Sequence, residues 1–318
     1  MPAFSVTSPG KIILFGEHAV VYGEPAIATP VFPTQAKAIV SARIHGNSGE
    51  IWIEAPDISL STSIDQLEIN HPLRSAIQIV IGDKDLDQVP SCNIQITSEI
   101  PPSSGMGSSA AISISIIRAF SAFLGKRLND EQVSDFAYEV EKIHHGTPSG
   151  IDNTVITYQK PVYYRKGNPL EFLEIGEEFS ILIAYSGIPG NTREAVEGVR
   201  AGWLKEPDRF NQIFSRMGEI TQEAKGIIKT GNPDRLGALM NENHELLQEI
   251  GVSTPELDQL VQEARKAGAL GAKLSGGGLG GHIIALVKSN TDYISGELEK
   301  KGAISTLITP VTNRDINR

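Results

Sequence analysis

The sequence predicts an α+β protein with two lobes. Its 318 residues, of which 40% are hydrophobic, can bury a large core and favour a division into two lobes. The first third is rich in short alternating apolar segments, which indicate strands. A second series of strands and helices begins near residue 179, and neither a repeat nor a low-complexity linker separates the two series. We therefore expect two lobes that pack tightly.

Strands dominate the first third of the chain. Alternation is clearest around Ile94 and Ile96, where every second residue is apolar. The same reasoning predicts strands at residues 4–6, 12–15, 35–44, 51–54 and 93–100. Helices are predicted at 108–124 and 130–144, since the second places on one face Val133, Phe136, Ala137, Val140 and His144. A further strand is predicted at 162–165.

The second series opens with an apolar strand at 179–185. Helices are then predicted at 192–204, 207–229, 233–249 and 255–267. Two strands, 272–274 and 282–287, flank a glycine cluster, and a helix at 292–301 and a strand at 304–308 complete the chain. The result is a β-α-α-β-β-α-β-like order.

Charge and cysteine content exclude several classes of function. The net charge is -10 and no basic cluster stands out, which argues against nucleic acid or an anionic membrane as the main partner. The single Cys92 excludes an intrachain disulfide and a thiolate-rich metal site, and is typical of a reducing compartment. No signal peptide is evident, because Met1 to Val6 lacks a basic n-region and an apolar h-region, and no membrane anchor is evident, because the most apolar helix is short and contains Arg118. We expect a cytoplasmic protein.

The segment from Pro101 to Ala111 has the composition of a phosphate-binding loop. Its glycines and serines allow the backbone to approach a ligand closely, and the helix that follows offers unpaired amides and a favourable dipole to an anion. No Walker A string occurs in the chain, so a nucleotide site would need another design. The alternative is a turn followed by a helix cap.

A second polar cluster lies between Pro9 and Gly23. Lys11 opens an apolar strand, where its ammonium could reach a phosphoryl group in transfer. Glu17 and His18 follow the same strand and could form a binding edge. The alternatives are a solvated edge lysine and two side chains that bridge a turn.

Acidic residues mark a third segment. Glu141 lies on the flank of a helix's apolar stripe, where a carboxylate can bind Mg²⁺ together with a hydroxyl group near the glycine loop. Asp152 follows a Pro-Ser-Gly turn and could accept a proton. Surface solvation is the alternative for both. Adjacent His144 and His145 point about 100° apart on a helix and cannot chelate one ion, so we assign His144 to the core and His145 to the surface.

The fourth segment, Lys273 to His282, is glycine-rich. It contains G-x-G-x-x-G as Gly276, Gly278 and Gly281, but a strand follows, whereas a dinucleotide fingerprint needs a helix there. The glycines still require a backbone that closely approaches either another loop or a ligand.

Together, the four segments resemble the GHMP small-molecule kinase superfamily and, within it, the mevalonate kinase family. The match covers nearly the whole chain. The subfamily assignment depends on the strings Gly10–Gly23 and His145–Asn153, and Gly187–Arg193 is similar to a segment that lines the family's substrate pocket. The third motif departs from the family pattern, which often reads Gly-Ala-Gly-Gly-Gly-Gly-Cys, at Gly277, Leu279 and His282.

This resemblance implies a fold and an organisation. The family has a strand-rich N-terminal lobe with helices, a ferredoxin-like C-terminal lobe and an active site in the cleft between them. We expect an N-terminal domain at residues 1–177, which contains the phosphate loop, and a C-terminal domain at 178–318. Dimers are usual in the family, so a homodimer is expected.

The resemblance also implies ATP-dependent phosphorylation of the primary C5 hydroxyl of mevalonate, with Mg²⁺ as cofactor. The residues that match the ATP phosphate site are Pro101, Ser104, Gly105, Met106, Gly107, Ser108 and Ser109. Ser109 and Glu141 match the metal ligands, and Asp152 with Lys11 matches the catalytic pair. The candidates for substrate binding are Lys11, Glu17, His18, Asp152 and Thr192, with Arg193 as a further cation. The alternatives are a kinase for phosphomevalonate or homoserine, and a non-catalytic ligand sensor.

Overall fold

The computed structural model describes residues 3–44, 46–83, 89–145 and 148–313, with the side chains of residues 144 and 145 outside that description. In these ranges the strands are β1 (Ala3–Phe15), β2 (Ala26–Ala42), β3 (Ile51–Ala55), β4 (Leu60–Ser63), β5 (Cys92–Ser98), β6 (Val162–Tyr164), β7 (Glu171–Phe172), β8 (Phe179–Tyr185), β9 (Gly271–Ser275), β10 (His282–Val287) and β11 (Ser305–Val311). The helices are α1 (Pro72–Gly82), α2 (Ser108–Phe123), α3 (Asp130–His145), α4 (Ile151–Tyr158), α5 (Thr192–Lys205), α6 (Pro207–Thr230), α7 (Leu236–Glu249), α8 (Pro255–Lys266) and α9 (Thr291–Lys300).

The described chain packs into two compact units, each assembled from separated stretches. The first unit takes its residues from Met1–Gly10, Thr34–Pro101 and Gly107–Tyr158. The second takes them from Lys11–Pro33, Pro102–Met106 and Gln159–Arg318. The division into consecutive domains, 1–177 and 178–318, stays a prediction.

In the first unit, strands pack against helices. The C-terminal part of β2 pairs antiparallel with β5, which pairs parallel with β3, and β3 pairs antiparallel with β4. Alternate residues of β5, Cys92, Ile94 and Ile96, are buried, as the sequence pattern predicted. Helix α2 packs against β5 and against α1, α3 and α4. It is apolar over most of its surface because neighbours cover several of its sides.

In the second unit, a four-stranded antiparallel sheet has the order β11-β8-β10-β9. The last strand of this sheet therefore lies beside its first, followed by its third and its second, which is the ferredoxin-like arrangement. All residues of β10 are buried, which explains its continuous apolar run. Helices α5 to α9 contribute to the core on this sheet, with Phe214 and Met217 among the buried residues. The predicted fold class is confirmed.

Several elements differ from the prediction. The two predicted strands at 4–6 and 12–15 are one continuous strand, β1, because Pro9 is compatible with extended backbone. Helices α1 and α4 were not predicted, since both are short and rich in β-branched residues that favour strands. Among the described residues, none of the helices combines the length and the apolar character that a membrane span requires.

Candidate active site

The glycine-serine loop leads directly into helix α2. Gly105 and Gly107 have φ angles of 82° and 75°, which belong to the left-handed region that glycine tolerates best. Gly107 is the N-cap residue of α2 and has no side chain that could accept from the first-turn amides. At α8, by contrast, the Thr254 hydroxyl accepts from the amide of Leu257. The start of α2 is therefore suited to an external anion.

Four successive carbonyl groups of this loop accept hydrogen bonds from other segments of the second unit. The Gly190 amide donates to Ser103 O at 2.8 Å, and the Lys11 amide donates to Met106 O at 2.9 Å. Nδ1 of His282 lies 2.5 Å from Ser104 O, and Nζ of Lys11 lies 3.1 Å from Gly105 O. These bonds fix the backbone of residues 103 to 106 through its carbonyl oxygens.

Lys11 is buried at 4% exposure, which excludes a solvated edge lysine. Its ammonium donates to Gly105 O, so the charge is held against the glycine-serine loop. Strand β1, which contains Lys11, is held in place at Ile13 by two hydrogen bonds to Ser275. The Ser275 hydroxyl accepts from the Ile13 amide at 3.1 Å and donates to the Ile13 carbonyl at 2.8 Å.

Glu17 forms an ion pair with Lys273, and both side chains are fully buried. The Lys273 ammonium also donates to Leu274 O at 2.7 Å. Burial raises the pKa of Glu17, and the nearby Lys273 opposes that rise. Burial also lowers the pKa of Lys273. The sequence prediction gave Lys273 no role, although a lysine in the otherwise apolar strand β9 signals a buried charge that needs a partner.

His18 directly follows Glu17 and adopts an unusual backbone conformation, with φ at 59°. Its Nε2 lies 2.9 Å from Gly277 O and must donate, because the carbonyl has no proton. Burial lowers the pKa of His18 to about 4, so the ring is neutral at physiological pH and Nδ1 is an acceptor.

Thr192 and Arg193 are exposed at the start of α5. A Cβ on Gly277 would lie 2.5 Å from the Thr192 hydroxyl oxygen, so only glycine fits beside that hydroxyl. Arg193 pairs with Glu197 at 3.0 Å and is 88% exposed. The roles of Thr192 and Arg193 as substrate ligands stay predictions.

The two predicted acids and the serine predicted as a metal ligand belong to the first unit. Ser109 lies in the first turn of α2, and Asp152 is half-buried in the first turn of α4. Glu141 is buried near the end of α3, at 6% exposure. Helices α2, α3 and α4 pack on one another, which brings these three elements into one cluster. The assignments of His144 and His145 fall on side chains outside the described residues.

The oxygen donors of Glu141 and Ser109 are of a type that suits Mg²⁺. Mg²⁺ in phosphoryl-transfer sites commonly takes one or two protein oxygens, with phosphates and water as the remaining ligands. The Glu141 carboxylate and the Ser109 hydroxyl supply that oxygen type. Within the described ranges, no group of three or more His, Cys, Asp or Glu side chains could hold a metal ion.

The third glycine motif closely approaches other loops of the second unit. A Cβ on Gly278 would lie 2.2 Å from Val252 O, and one on Gly281 would lie 2.9 Å from Ser104 O. A Cβ on Gly280 would come within 2.8 Å of the Ile188 and Pro189 carbonyl oxygens. The sequence left open whether these glycines approach another loop or a ligand. The structure shows that they approach other loops. Strand β10 follows the motif, so it is not a dinucleotide fingerprint.

Models of known families match both halves of the chain. The GHMP kinases N terminal domain matches residues 72–160, and the GHMP kinases C terminal domain matches residues 224–302. Mevalonate kinase from Pyrococcus horikoshii is 36% identical over 98% of this chain and 96% of its own length. The chain belongs to the mevalonate kinase family of GHMP kinases. Mevalonate kinase from Thermococcus onnurineus is 38% identical over 95% of this chain and 92% of its own length.

Solved structures of the mevalonate kinase family have the same fold. The crystal structure of L. major mevalonate kinase in complex with R-mevalonate aligns with a TM-score of 0.82 and 31% identity, over 97% of this chain and 95% of that one. The Methanococcus jannaschii mevalonate kinase aligns with a TM-score of 0.84 and 29% identity, over 97% and 98% of the two chains. The family predicted from the four motifs is confirmed.

Proposed function

We propose that this protein transfers the terminal phosphoryl group of ATP to the primary C5 hydroxyl of mevalonate, giving 5-phosphomevalonate and ADP. Membership of the mevalonate kinase family supports the choice of acceptor. The observation that carries the proposal is the way in which the phosphate loop is held and leads into α2. Its carbonyl groups from Ser103 to Met106 are hydrogen-bonded to other segments, and the helix it enters has a glycine N-cap.

The phosphate loop would bind the ATP phosphates through backbone amides. Gly105 and Gly107 allow the close approach, and the α2 dipole favours the negative charge. Ser109 and Glu141 would be the protein ligands of Mg²⁺. When bound, the metal would neutralise charge on the phosphate oxygens.

Asp152 and Lys11 would act on the alcohol. The bond from the alcohol oxygen to the terminal phosphorus forms, the bond from that phosphorus to the bridging oxygen of ADP breaks, and the proton passes to the Asp152 carboxylate. An aspartate is a weak base, so the Lys11 ammonium would stabilise the oxygen as its negative charge increases. Positioning and electrostatics would dominate, since phosphoryl transfer leaves little covalent work to the protein.

The remaining polar residues would orient mevalonate. His18 Nδ1 is an acceptor suited to a substrate hydroxyl group, and the exposed Thr192 hydroxyl is a donor suited to the carboxylate. Glu17, which is fully buried against Lys273, would support this binding edge from behind His18. Arg193 would be a further cation near that carboxylate. A homodimer and a cytoplasmic address stay predictions.

A substrate panel tests this function. The purified full-length chain is assayed for ADP formation with ATP, Mg²⁺ and, in turn, mevalonate, phosphomevalonate, homoserine and galactose. Reactions without acceptor give the background ATPase rate. We expect turnover with mevalonate at a kcat/KM at least about 100-fold above that for the others. Preference for another alcohol, or mevalonate binding without ADP formation, would contradict the proposal.

A further inference from the structure

We propose that His282 is a positioning residue for the phosphate loop. Its ring holds the Ser104 carbonyl, and the amide of the next residue, Gly105, is thereby directed toward the ATP phosphates. This inference deepens the proposed function and rests on it for the identity of the nucleotide. In the sequence, His282 stands out only as a departure from the usual glycine motif.

The hydrogen bond from His282 to Ser104 determines the tautomer of the imidazole ring. His282 is the first residue of β10 and is fully buried, with Nδ1 2.5 Å from Ser104 O. A carbonyl oxygen can only accept, so Nδ1 must carry the proton. Burial lowers the pKa of His282 to about 4, so Nε2 is unprotonated at neutral pH. Nε2 is buried and has no hydrogen-bond partner among the described residues, which agrees with a neutral ring.

Peptide geometry links this bond to the amide of Gly105. In a trans peptide, the carbonyl of one residue and the amide of the next lie in one plane and point in opposite directions. A donor that fixes the Ser104 carbonyl therefore also fixes the direction of the Gly105 amide. The structure contains no cis peptide bond in the described ranges, so the relation applies here.

The His282 ring also lies beside Gly105. A Cβ on Gly105 would lie 3.6 Å from Cε1 of His282, which is ordinary contact distance. The Gly105 carbonyl is held separately by the Lys11 ammonium. His282 and Lys11 thus fix the two peptide groups on either side of Gly105. His282 itself is held by the buried strand β10, which pairs with β8 and β9. A rigid element therefore supports the loop.

Binding of ATP, ADP and adenosine to four variants tests the role. His282→Leu removes the donor and keeps an apolar side chain of moderate size. In His282→Asn the amide nitrogen can occupy the place of Nδ1, whereas in His282→Gln it lies one bond farther out. Val287→Ala is the matched control, because Val287 is buried at the opposite end of the same strand. Dissociation constants are measured without acceptor, and each variant's thermal midpoint is recorded.

We expect His282→Leu and His282→Gln to weaken ATP and ADP binding about tenfold, which is the value of one buried hydrogen bond. Adenosine binding should change less than about twofold, since adenosine has no phosphate. His282→Asn should stay within about threefold of the wild type for ATP. Val287→Ala should lower the thermal midpoint and leave nucleotide binding unchanged.

An equal loss for ATP and adenosine would overturn the inference, as would wild-type ATP affinity in His282→Gln. If His282→Leu does not fold, the pair His282→Asn and His282→Gln decides between the same outcomes. A wild-type protein that binds ATP but phosphorylates no mevalonate would contradict the proposed function alone, because nucleotide binding is measured separately.

Discussion

Lys273 donates a hydrogen bond to Glu17, and neither side chain is exposed to solvent. The pair joins strand β9 to the segment that follows β1 within the second unit. Glu17 Oε2 is also buried and has no hydrogen-bond partner among the described residues. Each of these two buried charges is stabilised by the other, because burial of either charge without its partner would be strongly unfavourable.

Removal of Lys273 should therefore destabilise the protein. We expect Lys273→Met to lower the free energy of unfolding by about 3–5 kcal/mol, because Glu17 would remain buried without its partner. The double variant Glu17→Gln/Lys273→Met should recover much of that loss. Urea denaturation measures both. Lys288→Met is the control, since Lys288 pairs with Asp234 at the surface, and it should cause little change. A similar effect of the two lysine variants would contradict the role of burial.

Gly105 and Gly125 offer a matched pair of glycines with similar φ angles, 82° and 78°. Alanine at either position should cost about 1–2 kcal/mol of stability, since both conformations are left-handed. Gly125 has open space around it and lies outside the phosphate loop. We expect Gly105→Ala alone to raise the KM for ATP, by about tenfold or more. Steady-state kinetics would refute this if both variants kept the wild-type KM.

Asp152→Asn should abolish most turnover and leave ATP binding intact. An amide cannot accept the alcohol proton, so we expect kcat to fall by about 10²–10⁴. Asp135→Asn is the control, because Asp135 is exposed on α3. Turnover of Asp152→Asn near that of the wild type, with both substrates bound, would exclude Asp152 as the base.

Glu141→Gln should increase the magnesium requirement. The buried carboxylate is the charged member of the proposed ligand pair, so its loss should raise the Mg²⁺ concentration for half-maximal rate by about tenfold or more. Glu139→Gln tests whether any acid on α3 has this effect, as Glu139 is exposed and pairs with Lys142. Equal Mg²⁺ dependence of the two variants would remove Glu141 from the site.

Stability should fall as pH decreases from about 6.5 to about 4. Burial lowers the pKa of three histidines, His18, His244 and His282, to about 4, so in this window they bind protons mainly in the unfolded chain. The unfolded state then binds more protons than the folded state, and stability rises with pH. Each histidine contributes at most about 1.4 kcal/mol per pH unit. Urea midpoints from pH 7 to pH 5 should show a smaller slope in His282→Asn. An unchanged slope would contradict the buried neutral ring.

Local patterns in the sequence were sufficient for much of the fold. Strands β8 and β10 begin and end where predicted, because both are apolar runs bounded by polar or glycine residues. Helix α1 was missed because its isoleucines and valine favour strands locally. Its cap, the His71 ring that accepts from the Leu73 amide, is visible only in three dimensions.

The candidate site was predictable as a set of segments, whereas most of its contacts were not. Lys11 was found because it lies in a recognisable motif. Lys273 and His282 were not, since their partners are 256 and 178 residues away in the chain. Residues so far apart leave no signal in the periodicity of a single sequence. The glycine spacing indicated close approach but could not identify the approaching loop.

The proposed phosphotransfer itself is tested most directly by identifying its product. The purified chain is incubated with ATP, Mg²⁺ and mevalonate, and the mixture is followed by phosphorus NMR with proton coupling. Transfer to the C5 hydroxyl predicts one new phosphate monoester, coupled to the two protons of the C5 methylene group, that accumulates in equal amount with ADP. Inorganic phosphate as the sole new signal, or a phosphate on the tertiary hydroxyl, would contradict it.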